Sequence, residues 1–297
     1  MPDSAFLSPA PRADIRFPAD VEVARWLARE SLRAEEAALG VARKRLGVFA
    51  LDRAGHIVGG TVCLRQGGDL YLHLLWVEKA RRGTGIGAAL LLATEAAGLA
   101  RGCTRVYLNT MDFQGPRFYP RFGYESVGVM PDFVYGQARH YLRKAAVVAE
   151  APALPGGLTL LVTDHPTPEQ EKAVDDGLTA HWLEHVDVHY QELSTTLRDH
   201  AGTALAALNG VVDGDWFTIV DLFVAPAHRG KGLVRRLLAE THAHVAHLGC
   251  RWSTVMPMDY QHPDVLARLG FAPVLRVDDY LLGHGRTWMR REIGGTA

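Results

Sequence analysis

The run LLWVEKARRGTGIG, Leu74 to Gly87, decides how the chain reads. Seven of the eight positions from Leu70 to Val77 are apolar or aromatic, as a buried strand requires, and an Ala/Leu-rich stretch with helical spacing follows from Ile86 to about Ala100. Between them stand Arg82, Gly83, Thr84, Gly85, Ile86 and Gly87. A strand that turns through such a loop into a helix presents several backbone N–H groups and the positive end of the helix, an arrangement that holds phosphate oxygens. Glycine permits left-handed or crowded backbone that a side chain would block, and Arg81 and Arg82 add charge-assisted donors. The loop is not a P-loop, because no Gly-Lys-Ser/Thr follows at that spacing. A dinucleotide site would place an acidic residue at the end of the next strand, where Asn109 and Thr110 stand instead.

The same segment occurs twice. AHRGKGLV, Ala227 to Val234, matches ARRGTGIG, Ala80 to Gly87, with Gly83 and Gly230 standing 147 positions apart. That register also pairs Gly102-Cys103 with Gly249-Cys250, Met111-Asp112-Phe113-Gln114 with Met258-Asp259-Tyr260-Gln261, and Phe122-Gly123-Tyr124 with Leu269-Gly270-Phe271. The chain is therefore a tandem duplication, with domains expected at 1–150 and 157–297 and a boundary in EAPALPGG, Glu150 to Gly157. Each half is long enough to bury its own core.

Composition narrows the class. The 297 residues are 48% hydrophobic and carry a formal charge of -1, so no broad basic field invites nucleic acid. Cys63, Cys103 and Cys250 do not form a disulfide framework, and the repeat partners Cys103 and Cys250 read as small buried hydrophobes. The N-terminal MPDSAFLSPAPRAD lacks the apolar core of a signal peptide, and no stretch approaches a membrane span. The expectation is a cytoplasmic monomer or homodimer that avoids both nucleic acid and membrane.

Hydrophobic periodicity predicts, for the first half, a helix from Val21 to about Arg43 and strands at Gly47–Leu51, Ile57–Arg65 and Leu70–Val77. After the loop helix come a strand at Thr104–Asn109, a short helix containing Phe118 and Tyr119, and closing strands near Val127–Met130 and His140–Arg143. The second half repeats the order, with helices at Glu169–Leu183 and Leu233–Leu248 and strands at Thr203–Val211, Phe217–Val224, Ser253–Met256 and about Arg286–Met289. Both halves fit an α/β class, a mixed sheet with helices on its faces.

With these residues in place, Arg82-x-x-Gly85-x-Gly87 after LLWVEKA resembles the acyl-CoA pyrophosphate motif of the GNAT superfamily of N-acetyltransferases. The run YLNTMDFQGPRFYPRFGYE, Tyr107 to Glu125, resembles the strand and short helix that follow it there. The resemblance covers most of both halves. It implies a sheet that splays near its middle, with the pantetheine arm along Leu75, Trp76 and Val77. The pyrophosphate would lie on Arg81, Arg82, Gly83, Thr84, Gly85, Ile86 and Gly87. Acetyl-CoA would be the donor, and the amine of a small molecule or peptide the acceptor. Tyr119 matches the family tyrosine that protonates the leaving thiolate, with Phe118 beside it, and Asn109 matches a position that orients the pantetheine. The alternative for Tyr119 is a core aromatic, and for Asn109 a polar strand end. Glu78 and His73 are the nearest candidates for the base, with Asp112 a third.

Comparing the copies sharpens the reading. The second retains Val224, Arg229, Gly230, Lys231 and Gly232 as an acyl-CoA cradle, but has Val234 for Gly87, Met256 for Asn109 and Leu266 for Tyr119. Catalysis is expected in the first half. The second is a degenerate copy that completes the cleft, stabilises the pair, or binds CoA without turnover. Transfer of another acyl group, or acyl-CoA binding without catalysis, are the alternatives. His181, His185 and His189 are spaced by four, which invites a metal, but solvated histidines on an amphipathic helix are the commoner case, and no metal is expected.

Overall fold

The computed structural model describes residues 12–16, 19–145, 152–186 and 190–293. The 147-residue register extends to the secondary structure. The first copy runs β1 (Arg12–Arg16), α1 (Val21–Leu39), β2 (Lys44–Leu51), β3 (Ile57–Gln66), β4 (Asp69–Val77), α2 (Ile86–Leu99), β5 (Arg105–Met111), β6 (Glu125–Val134) and β7 (Gln137–Ala145). The second runs β8 (Thr159–Thr163), α3 (Pro168–Leu183), β9 (Gln191–Arg198), β10 (Ala204–Asp213), β11 (Trp216–Val224), α4 (Leu233–His247), β12 (Trp252–Val255), α5 (Pro263–Arg268), β13 (Ala272–Leu281) and β14 (His284–Glu292). The expected elements are present. β1, β8, β9, α5 and β13 are additional. In β9 the alternation is obscured because Ser194, Thr195 and Thr196 are buried alongside Leu193 and Leu197.

Two seven-stranded mixed sheets result, in the orders β6-β7-β5-β4-β3-β2-β8 and β1-β9-β10-β11-β12-β14-β13. The copies exchange their leading strands. β8 pairs antiparallel with β2, Gly47 opposite Thr163, and β1 pairs antiparallel with β9, Arg16 opposite Ser194. Among the described residues, one compact unit is drawn from Glu36–Val188 and Leu275–Arg286. The other is drawn from Met1–Glu35, His189–Val274 and Thr287–Ala297. The break near 150–157 separates the two copies of the repeat, whereas the compact units are discontinuous in sequence.

In the unit that carries the first glycine loop, α2 lies on one sheet face. Leu90 and Leu91 are sealed against Leu46, Val48, Leu70, Leu72, Val106 and Leu108. α3 covers the other face. Thr167 starts it with a capping box, its Oγ1 accepting from the Gln170 N–H at 3.3 Å while Gln170 Oε1 accepts from the Thr167 N–H at 3.0 Å, and Pro168 occupies the first turn. Val174 is buried with Phe49 and Val62. Gly177 lies directly on the Trp76 indole, which a Cβ would approach to 2.2 Å. Only the absence of a side chain lets the helix come so near the strand. In the unit with the second loop, α1 packs correspondingly, with Val23 and Leu27 on Ala207 and Trp26 edge-on to Phe223 at 5.2 Å.

Candidate active site

A β-bulge creates the site. In β4, Leu74 pairs with Val62 and Leu72 with Cys63, which leaves His73 as the extra residue. On the other edge, β4 is parallel to β5 only from Asp69–Leu72 opposite Arg105–Leu108. Beyond that point the strands part. Among the described residues no strand lies beside the inner edge of β4 from His73 to Val77, and its backbone polar groups face a cleft of about 480 Å³. Leu75, Trp76, Val77, Arg82, Gly83, Gly85 and Gly87 line one side of this cleft, Asn109, Thr110, Phe118 and Tyr119 another, and Leu178 and His181 of α3 a third.

The loop supplies a cradle for an anion. Gly83 and Gly85 have φ of +77° and +93°, and a Cβ on either would meet nothing within 4 Å, so these glycines serve the backbone conformation and leave the approach open. Gly85 is the N-cap of α2, and no side chain caps the helix, so its first-turn N–H groups are left for a ligand. Arg82 Nε donates to the Val77 carbonyl at 3.1 Å, and Thr84 Oγ1 donates to the Arg81 carbonyl at 2.7 Å, which braces the turn from both sides. Ile86 turns into the core and contributes only its backbone. Gly87 differs from the other two: it sits in the first helical turn, and its missing side chain keeps the cleft open between Val77 and Phe118.

The candidate catalytic groups separate. Tyr119 is 8% exposed at the head of a short 3-10 turn, Tyr119–Phe122, and packs edge-on against Phe118 at 5.2 Å. Burial pushes its phenol well above the ordinary range, so it stays protonated. His73 is accessible on the cleft, and the surrounding protein lowers its pKa by desolvation, which favours the neutral imidazole; Asp175 and Glu171 pull it upward and Arg45 downward. Glu78 stands apart from both. Its carboxylate pairs with Arg81 at 2.8 Å, so each satisfies the other, and neither lines the cleft. Asp112 is likewise committed, to His140 Nε2 at 2.6 Å and the Ala138 N–H at 2.8 Å, and both bonds hold its carboxyl below the usual range.

Asn109 lines the cleft and donates through Nδ2 to the Tyr71 hydroxyl at 2.7 Å, and Tyr71 stacks on Tyr107 at 5.0 Å. Beside it the buried Thr110 Oγ1 has no hydrogen-bond partner among the described residues. An unpartnered buried hydroxyl on the wall of a cleft is a site for a ligand's polar group. The open glycine turn, the uncapped helix and this hydroxyl fit an acyl-CoA: phosphates at the loop, a pantetheine arm along β4.

The stretch HWLEHVDVHY, His181 to Tyr190, reads from sequence as a cleft-lining helix; the wall is α3, whose Leu178 and His181 face the cleft, and its earlier turns were not singled out. The available signals were the central Gly177 and the spacing of Glu171, Asp175 and Leu178. Near its C-terminus, His181, Glu184 and His185 bring ligand atoms within 4.8 Å of one another; His189 lies outside the described residues. Two cations already engage this group, Lys79 with Glu184 at 3.0 Å and Arg82 Nη1 with His181 Nδ1 at 3.3 Å. The cluster therefore tethers α3 to the glycine loop, and Phe113, stacked on His185 at 5.2 Å, adds an apolar contact.

Residues 44–126 match the model of an acetyltransferase (GNAT) domain, and residues 157–271 that of the acetyltransferase (GNAT) family. A blasticidin-S acetyltransferase of Streptomyces morookaense is 37% identical over 97 residues, 32% of this chain and 71% of the relative. The chain belongs to the GNAT family of acetyltransferases. A second relative, acetyltransferase Atu2258 of Agrobacterium fabrum, is 32% identical over 102 residues, 34% of this chain and 74% of its own. A crystal structure of an aminoglycoside 6'-N-acetyltransferase complexed with coenzyme A is 25% identical, with a TM-score of 0.33 over 35% of this chain and 74% of that one. The protein is thus a tandem GNAT N-acetyltransferase with acetyl-CoA as its donor.

The second copy repeats the architecture with different residues at the matching positions. Its bulge falls at Val220, since Asn209 pairs with Asp221 and Gly210 with Ile219. Gly230 and Gly232 have φ of +73° and +76°, and the cleft of about 390 Å³ beside them is lined by Val224, Arg229, Gly230, Gly232 and Val234. Lys231 is exposed outside that lining. Leu266, the counterpart of Tyr119, is buried in the core.

Proposed function

We propose that the unit with the first glycine loop acetylates the amine of a small molecule, and that the second-loop unit is a degenerate copy without turnover. One observation carries this: a single cleft joins the glycine loop, the parted edge of β4, a buried protonated tyrosine and an accessible histidine favoured as neutral. When bound, acetyl-CoA supplies the thioester carbonyl that a neutral amine attacks. Arg82, Gly83 and Gly85 hold the phosphates at the N-terminus of α2, and Trp76 and Val77 with Asn109 and Thr110 direct the arm along β4. His73 accepts the proton that the amine must lose. Tyr119, kept protonated by burial, donates one to the departing sulfur. Glu78 serves as a brace for Arg81 in this scheme. The relatives named above, one of them a blasticidin-S acetyltransferase, support a small molecule over a peptide.

No helix among the described residues is long and apolar enough to cross a membrane. Cys63, Cys103 and Cys250 are all free and buried, as suits the reducing cytoplasm, where we place the enzyme.

The test is a pH profile of CoA-thiol release. Tyr119→Phe lowers kcat about 100-fold while acetyl-CoA affinity is retained. His73→Gln removes an acid limb lying below the ordinary 6.5 of histidine. Full turnover by Tyr119→Phe at every pH refutes the acid assignment.

A further inference from the structure

We propose that Asp175, on the helix that the second repeat lends to the first cleft, binds a second positive charge on the acceptor, so that the acceptor is a di- or polycationic amine. This deepens the functional reading above and rests on it.

Helix geometry places the carboxylate. Val174 is buried among sheet residues and Gly177 lies on Trp76, so this side of α3 faces the sheet, while Leu178 and His181 line the cleft. Asp175 precedes Leu178 by three residues and follows Glu171 by four, which puts all three along one edge of the helix. That edge faces His73, whose charged surroundings are Asp175, Glu171 and Arg45. Arg45 pairs with Glu171, and Lys172 pairs with the neighbouring Asp176 at 2.6 Å. Asp175 has no ion pair or hydrogen bond among the described residues, and it lies beyond the 4.0 Å ion-pair distance from His73. A net negative charge thus stands across a gap from the imidazole, and the gap takes a cation.

The duplication provides an independent control. A solvated acidic face has no reason to follow the catalytic groups, yet this one does. Where the first copy has His73 and its helix carries Asp175 and Glu171, the register places Val220, Ala28 and Ala24 in the second. They are lost together with Tyr119 and Asn109, which become Leu266 and Met256.

The chemistry requires two distinct nitrogens. The reacting one must be neutral when its lone pair forms the N–C bond and the C–S bond breaks. Its proton passes to His73, and the sulfur takes one from Tyr119. A carboxylate at that nitrogen would hold its proton in place. A second ammonium or guanidinium, fixed at Asp175, stays charged throughout and positions the first.

The experiment compares 1,4-diaminobutane and spermidine with butylamine as acceptors of the full-length protein, with saturating acetyl-CoA. Turnover favours the two polycations. Asp175→Asn raises their KM about five- to tenfold, with kcat little changed, as the loss of one partly solvated charge contact predicts. Acetyl-CoA affinity is retained in this variant, and Asp176→Asn leaves every parameter unchanged. Equal use of butylamine and the polycations overturns the proposal, as does an unchanged KM in Asp175→Asn. Binding of acetyl-CoA without turnover of either polycation overturns it too, while leaving the acetyltransferase reading intact. Failure to bind acetyl-CoA sinks that reading itself.

Discussion

Replacing Gly177 with alanine sets two effects of opposite sign against each other. In the interior of α3 the exchange gains about 1 kcal/mol from helix propensity. The new Cβ, however, would lie 2.2 Å from Cε2, 2.5 Å from Nε1 and 2.6 Å from Cδ2 of the Trp76 indole. Carbon contacts rest at about 3.5–4 Å, so the helix and the ring must separate by more than about 1 Å. Neither retreats freely. Trp76 is held in the ladder opposite Gly60, and α3 is pinned by Val174 beside Phe49. Overpacking of this kind costs about 1–3 kcal/mol, which leaves a net loss of up to about 2 kcal/mol. For a unit of this size that lowers Tm by up to roughly 4–8 °C. Leu178 and His181 move with the helix, so KM for the acceptor rises as well. Thermal unfolding and steady-state kinetics read both effects. The second copy indicates the rescue: the register sets Glu30 and Phe223 where the first has Gly177 and Trp76, a smaller ring under a larger helix residue. Gly177→Ala combined with Trp76→Phe should recover most of the loss. A Tm that rises by the propensity gain alone, with KM unchanged, would refute the close-contact reasoning.

Gly87→Ala should separate binding from folding, because its Cβ would stand 3.7 Å from Val77 Cγ2 and 3.8 Å from Phe118 Cζ without a clash. Tm holds or rises, by up to about 1 kcal/mol of helix propensity, while the methyl group intrudes on the cleft and weakens acetyl-CoA binding; unaltered affinity in a calorimetric titration contradicts this. In the second copy, His242 is buried against Ser253 Oγ at 3.0 Å, and desolvation lowers its pKa from 6.5 to about 4. The unfolded state therefore binds more protons between those values, and stability rises with pH across that window. This contribution, about 3 kcal/mol, is complete above pH 6.5 and is lost as pH falls toward 4. His242→Gln should flatten the denaturation midpoint against pH over that range, and an unchanged slope would show that other groups carry it.

What was legible in the sequence was local. Gly83 and Gly85 announce a left-handed turn because few other residues adopt it, and the Ala/Leu run after them announces a helix. His73, Tyr119 and Asn109 were identifiable as polar groups near that turn, and the structure brings all three to one cleft. Glu78 was not separable from them by spacing, because its ion pair with Arg81 depends on side-chain direction just after a strand end. Thr110, one position from Asn109, was passed over because only burial makes an unpartnered hydroxyl notable.

The sequence by itself determined the duplication, the two glycine cradles and the divergence of the copies, since each of these is read from residues close together or at one constant offset. Only the tertiary structure decided which strand and helix close which sheet. β1 and β8 are of equal length and occupy the same place in the repeat, and backbone hydrogen bonding alone does not distinguish the open edges of β2 and β9. The choice rests on side-chain fit far from the loop, such as Gly177 on Trp76 and Trp26 on Phe223. That fit lays α3, which carries Asp175, against β4, which carries His73 about 100 residues away in sequence, where no local pattern connects them.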